Sequence, residues 1–189
     1  IGESSFTNTV DCFEKSGLNK VAKKYGAKIV VFEQDKLVKI HSHRAKILSS
    51  FPVSKTLKNV DLVINLPKLK THLLTKYTGA VKNLYGVIPG GLKQRLHRKA
   101  HGGRNFSNML LDIYEGISPQ LNIMDGVIGM EGQGPTAGTP VKSGLILCSK
   151  NAIALDIACS KLIGLNPKKV YSNYYALKRR LYPSYKFEL

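Results

Sequence analysis

Apolar positions along the chain recur at two alternating spacings, and together they sketch an α/β fold. Between Val10 and Tyr25, the residues Val10, Phe13, Leu18, Val21 and Ala22 recur at helical spacing, and Gly26 supplies a stop. Ala27 to Glu33 is rich in β-branched residues and reads as a strand; Lys36 to His41 alternates as a second, edge-type strand. Residues 42–58 are mixed and read as loop. Val60 to Leu66 (VDLVINL) is a compact apolar strand ended by Pro67, which cannot donate to a ladder. Thr78 is expected to open a helix with Ala80, Val81, Leu84 and Tyr85 on one face, stopped by Pro89, Gly90 and Gly91. Phe106, Met109, Leu110, Ile113 and Tyr114 mark a helix over 105–117. Leu121 to Asp125 reads as a strand, Gly126 to Thr139 as a glycine-rich loop and Ser143 to Ser149 as another strand. Asn151 then caps a helix through Ile163, and a last helical piece covers about 171–181.

The strands near 62, 123 and 146 are continuously apolar, as strands buried on both faces are. The expected fold is therefore a mostly parallel sheet with helices on both faces, a Rossmann-like three-layer sandwich, in a single domain over residues 1–189. No apolar run approaches the roughly 18 residues that span a bilayer, so no membrane segment is expected. The amino end has neither a signal peptide nor an initiator Met, which points to a cytoplasmic protein numbered from inside a longer chain. Cys12, Cys148 and Cys159 form no CxxC pair; Cys148 and Cys159 read as small core residues in a reducing compartment.

Charge sharpens the picture. The net charge is +17, and no acidic residue occurs between Asp61 and Asp112. That stretch carries Lys68, Lys70, Lys76, Lys82, Lys93, Arg95, Arg98, Lys99 and Arg104, with His72, His97 and His101. Such a run attracts anions, or else forms a solvated face that keeps the protein soluble.

Ligands of open α/β sheets bind beyond the carboxyl ends of strands, and three such ends carry chemistry. After Pro67, an extended chain would project Lys68, Lys70 and His72 to one side as an anion cradle. The free N–H groups of a helix starting near 75–78 would add partial positive charge, and Lys82 lies one turn beyond Thr78. At the second end, Asp125 is placed to act as a general base or metal ligand beside Gly126, Gly129, Gly132, Gly134 and Gly138. Those glycines match neither a P-loop nor GxGxxG, and a structural loop explains them equally well. At the third, Asp156 sits among apolar residues and must either pair with a lysine or face solvent. His97 and His101 share the spacing of zinc ligands on one helix face, but Arg98 and Lys99 between them disfavour a metal, and none is expected.

The run VDLVINLPKLKTHLLTKYTGAVKNLYGVIPG resembles the core of prokaryotic domain-of-unknown-function family 362. The stretches IMDGVIGMEGQGPTAGTP and LDIACSKLIGLNP resemble two later motifs of that family in the same order. The positions that match are Lys68, Lys70, Thr71, His72, Thr78, Gly79, Lys82, Asn83, Gly134, Pro135 and Asp156. Members are often linked to ferredoxin-like iron–sulfur modules, so the resemblance implies redox chemistry, a ferredoxin-like domain or partner, and an iron–sulfur cluster outside this chain. The family's upstream Lys-Pro-Asn segment and the ferredoxin cysteines are missing here, and Gly2-Glu3-Ser4 stands for its Gly-Asp-Ser turn. The chain thus looks like a central fragment, with no cofactor of its own.

Three functions follow as expectations. The first is a small anionic ligand, carrying phosphate or carboxylate, within a redox-linked enzyme. There Lys68, Lys70, Thr71, Thr78, Lys82, Asn83 and Gly134 would bind the anion, and His72 and Asp125 would carry acid–base work. The second is a nucleic-acid-binding module, favoured by charge but lacking any recognition motif or aromatic platform. The third is a non-catalytic domain in cofactor or metal assembly.

Overall fold

The structure is a computed structural model and describes residues 1–184. In chain order its elements are β1 (Gly2–Glu3), α1 (Thr9–Lys15), α2 (Leu18–Lys24), β2 (Val30–Val31), β3 (Leu37–His41), β4 (Ser50–Ser54), α3 (Lys55–Lys58), β5 (Ile64–Asn65), β6 (Lys68–His72), β7 (Lys76–Thr78), α4 (Ala80–Asn83), α5 (Gly90–Lys99), α6 (Gly102–Ile117), β8 (Leu121–Glu131), β9 (Thr139–Ser149), α7 (Ala152–Leu162) and α8 (Tyr171–Lys178). Helices and strands mix along the chain, as the spacing predicts, but the sheets are small and mixed in direction.

The main sheet is built on β8. Strands β5 and β6 lie parallel to it in succession, β9 runs antiparallel along its other side, and β7 folds back antiparallel on β6. Strands β1 and β2 form a separate parallel pair, and β3 and β4 an antiparallel one. The expected mostly parallel sheet is therefore corrected to a mixed one. The reason lies in residues 126–139, read as a loop. Gly126 and Gly129 are strand residues that let Leu69 and the backbone of β9 come close to β8. The antiparallel β8–β9 hairpin so formed dominates the sheet.

Local chemistry explains the remaining differences. Gly17, in the left-handed region, splits the expected first helix into α1 and α2. After α4 a 3-10 turn runs over Leu84–Val87 and ends before Pro89, where the stop was expected, but Gly90 and Gly91 then begin a further helix, α5. Helix α7 starts where expected, because the Asn151 side chain accepts the backbone N–H groups of Ile153 and Ala154. Cys159 is buried in α7, whereas Cys148 is exposed on the edge strand β9.

Helices α4 and α7 pack on the sheet face that carries Asn122 and Met124. Helix α6 lies behind α4, with Met109, Leu110, Leu111 and Ile113 fully buried. On the opposite face of β5 and β9, Ile64 and Ile146 remain 53 % and 69 % exposed, so a helical cover does not extend there among the described residues. Two polar systems lock the layers. A run of amides crosses the sheet: Asn83 donates to Asn65, Asn65 donates to Asn122 and to the Ala80 carbonyl, and Asn122 donates to the Ser149 carbonyl. On α6, Asp112 accepts backbone N–H groups from Lys46, Ile47 and Leu48 and pairs with Arg179 at 2.7 Å; Arg179 also pairs with Glu115.

Candidate functional site

Strand β6 stays extended after Pro67, with its register against β8 shifting between Lys68 and Lys70, and Lys70 and His72 alternate with the intervening Thr71. Pairing with β7 sets Thr78 opposite Lys70 and Lys76 opposite His72, and cross-strand partners project to the same face. Lys82 follows on α4. The three cations meet different fates. Lys68 is exposed and pairs with Asp125 at 2.7 Å. Lys70 and Lys82 are partly buried, and among the described residues neither amine has a hydrogen-bond or ion-pair partner.

The cluster is larger than the sequence suggested. Lys93 of α5 is only 4 % exposed and donates to the Ser4 carbonyl. Burial, offset in part by Glu3 and Glu33, lowers its pKa to about 8. Burial, reinforced by Lys70 and Lys93, lowers Lys82 to about 8 as well. Lys70 is lowered by burial, with Glu3 opposing and Lys68 assisting. Glu3 on β1 lies within electrostatic reach of Lys70 and Lys93 and keeps contact with solvent. Glu3 and Lys93 were not among the expected site residues. The signals for them were the acid in the Gly2-Glu3-Ser4 turn and the place of Lys93 inside the acid-free run.

His72 is partly buried, and its Nδ1 accepts the backbone N–H groups of Leu74 and Thr75 at 3.1 and 3.3 Å. A nitrogen that accepts carries no proton, so the neutral ring holds its proton on Nε2. Burial, then Lys82, His97 and Lys70, depresses the His72 pKa to about 4. The side chain therefore offers a neutral N–H donor at physiological pH, with its basic nitrogen already occupied. The Thr78 hydroxyl is buried and has no partner among the described residues.

Other expected site residues hold the site together. Asp125 has its pKa lowered by the hydrogen bond from Lys68 and also accepts the Val127 N–H, so it is a paired carboxylate rather than a base in waiting. The Thr71 hydroxyl donates to the Gly132 carbonyl at 2.9 Å, and the Leu73 N–H to the Gly134 carbonyl. A Cβ on Gly134 would collide with the Thr71 backbone, so Gly134 clamps the hairpin end onto β6. Asn83 is engaged by Asn65.

The N–H groups expected to face a ligand at the start of α4 are occupied from inside. Asp156 of α7, 1 % exposed, accepts the N–H groups of Ala80 and Val81 at 2.6 and 3.0 Å and the Tyr77 hydroxyl at 3.2 Å. It takes neither of the roles expected for it. Burial outweighs these hydrogen bonds and pushes its pKa up to about 7. A Cβ on Gly79 would clash with the Asp156 carboxylate and the Tyr77 ring, which explains the glycine in Thr78-Gly79-Ala80.

His97 and His101 do not share a helix face: His97 lies on α5 against the Phe106 ring at 4.7 Å, and His101 precedes α6. Cavities of about 440 Å³ open near α8, lined by residues such as Arg44, Lys46, Leu177 and Arg180, and include none of the cluster. Among the described residues, no helix is long and apolar enough to cross a membrane.

Known proteins place the chain by sequence. A thylakoid-associated protein, sll1697, of Synechocystis sp. (strain ATCC 27184 / PCC 6803 / Kazusa) is 40 % identical over 119 residues, covering 62 % of this chain and 37 % of that protein. The chain thus spans little more than a third of that relative's length. No solved structure matches. The family model described as a domain of unknown function, DUF362, matches residues 1–161, and the chain belongs to that family.

Proposed function

We propose that the protein binds a small anion, bearing a phosphate or a carboxylate, on the face formed by Lys70, His72, Thr78 and Lys82. One observation carries this reading: Lys70 and Lys82 are cations drawn partly out of water with no hydrogen-bond or ion-pair partner among the described residues, and Glu3 offsets the cost only at Lys70. Withdrawing a cation from water is costly, and an anion held between two of them recovers that cost. The neutral Nε2–H of His72 and the Thr78 hydroxyl supply directional donors beside them. Lys93 raises the local potential from beneath, and Glu3 at the rim offsets only part of it.

The proposal extends to a redox or iron–sulfur-linked enzyme that would work with a ferredoxin-like domain or partner, a setting suggested by the family resemblance alone. Visible absorption of a longer family member purified without air tests that setting, and a colourless protein with no bound iron argues against it.

The anion site is tested by thermal unfolding against phosphate, small carboxylates, nucleotides and short DNA at two salt concentrations. A ligand at a hundredfold excess over its Kd stabilises by about 2.7 kcal/mol. That stabilisation should vanish in Lys82→Met and Lys70→Ala; equal shifts in wild type and both variants would remove the site. A second reading draws on the exposed Arg95, Arg98 and Lys99 of α5. Stabilisation by DNA alone, lost at high salt, would favour that nucleic-acid module.

A further inference from the structure

Lys82 is placed unlike the other lysines of the cluster. Lys68 is paired with Asp125 and Lys93 donates to a carbonyl, but the Lys82 amine has no partner among the described residues and keeps some access to solvent. Its backbone is held at both ends of α4: Asp156 secures the first N–H groups, and Asn65 engages neighbouring Asn83. The charged groups within reach of its amine are Lys70 on β6 and Lys93 on α5, with His72 beside it. A rigidly mounted amine among cations is disposed to shed its proton, and a neutral amine is a nucleophile.

We propose that Lys82 condenses with the carbonyl group of an anionic aldehyde or ketone, of which a 2-oxo acid is the simplest kind, to form an imine. The inference rests on the anion site proposed above and names its substrate class. Lys70 holds the carboxylate, which brings the adjacent carbonyl carbon to Lys82. The Nζ lone pair forms the C–N bond, and the carbonyl π pair moves to oxygen. One proton passes from nitrogen to that oxygen to give the carbinolamine. The C–O bond then breaks, nitrogen forms C=N, and both amine protons leave with the oxygen as one water. No oxidant or reductant is needed. The Nε2–H of His72 and the Thr78 hydroxyl are the donors available to the oxygen as charge gathers on it.

The experiment incubates the protein with pyruvate and cyanoborohydride, which reduces an imine to a stable adduct, and locates the adduct by peptide mass spectrometry. At neutral pH a lysine whose pKa has fallen to about 8 should be trapped at least roughly tenfold faster than the exposed Lys99. Lys82→Arg, which keeps the cation, should retain stabilisation by pyruvate but lose the fast adduct. Lys70→Met should shift the trapping rate profile to higher pH, because it removes a neighbouring positive charge. Thermal stabilisation by lactate, which has the carboxylate without the ketone, reports anion binding alone. Stabilisation by both acids with adducts spread evenly over exposed lysines would overturn the imine and leave the anion site standing. No stabilisation and no preferential adduct would overturn both.

Discussion

Asp112 and Lys82 are both charged groups withdrawn from water, and the protein surrounds them in opposite ways. Asp112 receives three backbone N–H groups and the Arg179 guanidinium, which also pairs with Glu115. Lys82 meets two further lysines and a neutral histidine. The first arrangement closes its charge internally and ties the 46–48 segment to α6. The second leaves positive charge facing outward. Charge that the fold completes belongs to architecture, and charge that the fold leaves open is available to a ligand.

The contrast can be broken most sharply at its structural end. Asp112→Ala should cost about 3–5 kcal/mol, because it leaves three backbone N–H groups without their acceptor and takes from the buried Arg179 guanidinium one of its two carboxylates; urea unfolding measures this. A loss under about 1 kcal/mol would mean that water completes those groups and that Asp112 is no keystone. Asp156 tests a second closed carboxylate through pH. Its pKa is about 7 in the fold against 3.8 in an open chain, so the folded state holds that proton more tightly. Its contribution is then fully present below about pH 4 and is lost as pH rises through 7. The urea midpoint should fall across that window by more in wild type than in Asp156→Asn; parallel pH profiles would show that Asp156 is ionised throughout.

Smaller effects sharpen the open end. Lys82→Met removes an unpaired cation, so stability without ligand should stay within about 1 kcal/mol of wild type, on the stable side. A clear loss of stability would reveal a structural partner for that amine. Lys68→Ala, by contrast, removes an exposed pair, and its effect should lie below about 0.5 kcal/mol and shrink with salt.

Much of this contrast was legible in the sequence. Alternation after Pro67 put Lys70 and His72 on one side, and an acid-free run marked the region as basic. Asn151 announced α7, and the strands around Ile123 and Ile146 were found from their apolar runs. Pairing was not legible. Nothing local tells that Asp125 lies beside Lys68, or that Asp156 takes the N–H groups at the start of α4, since these contacts span 57 and 76 residues. Glycine was ambiguous for a related reason. At Gly126 and Gly129 its use is close approach to a neighbouring strand, which depends on the partner. At Gly90 and Gly91 it opens a helix, where the sequence reading placed a stop. Ala100, between α5 and α6, separates two histidines whose spacing alone predicted one face.

The run of amides across the sheet has a sense of direction. Each link gives hydrogens the same way, from Asn83 to Asn65 to Asn122 to the Ser149 carbonyl, so the dipoles line up and reinforce one another. Asn65 commits both side-chain hydrogens inside the protein, and its oxygen accepts from Asn83. Its two side-chain protons should therefore be among the slowest of any amide side chain to exchange with deuterium. The helix that bears Lys82 is thus fastened to the far edge strand by a conductor of one polarity, in which a single reversed link would interrupt the whole line.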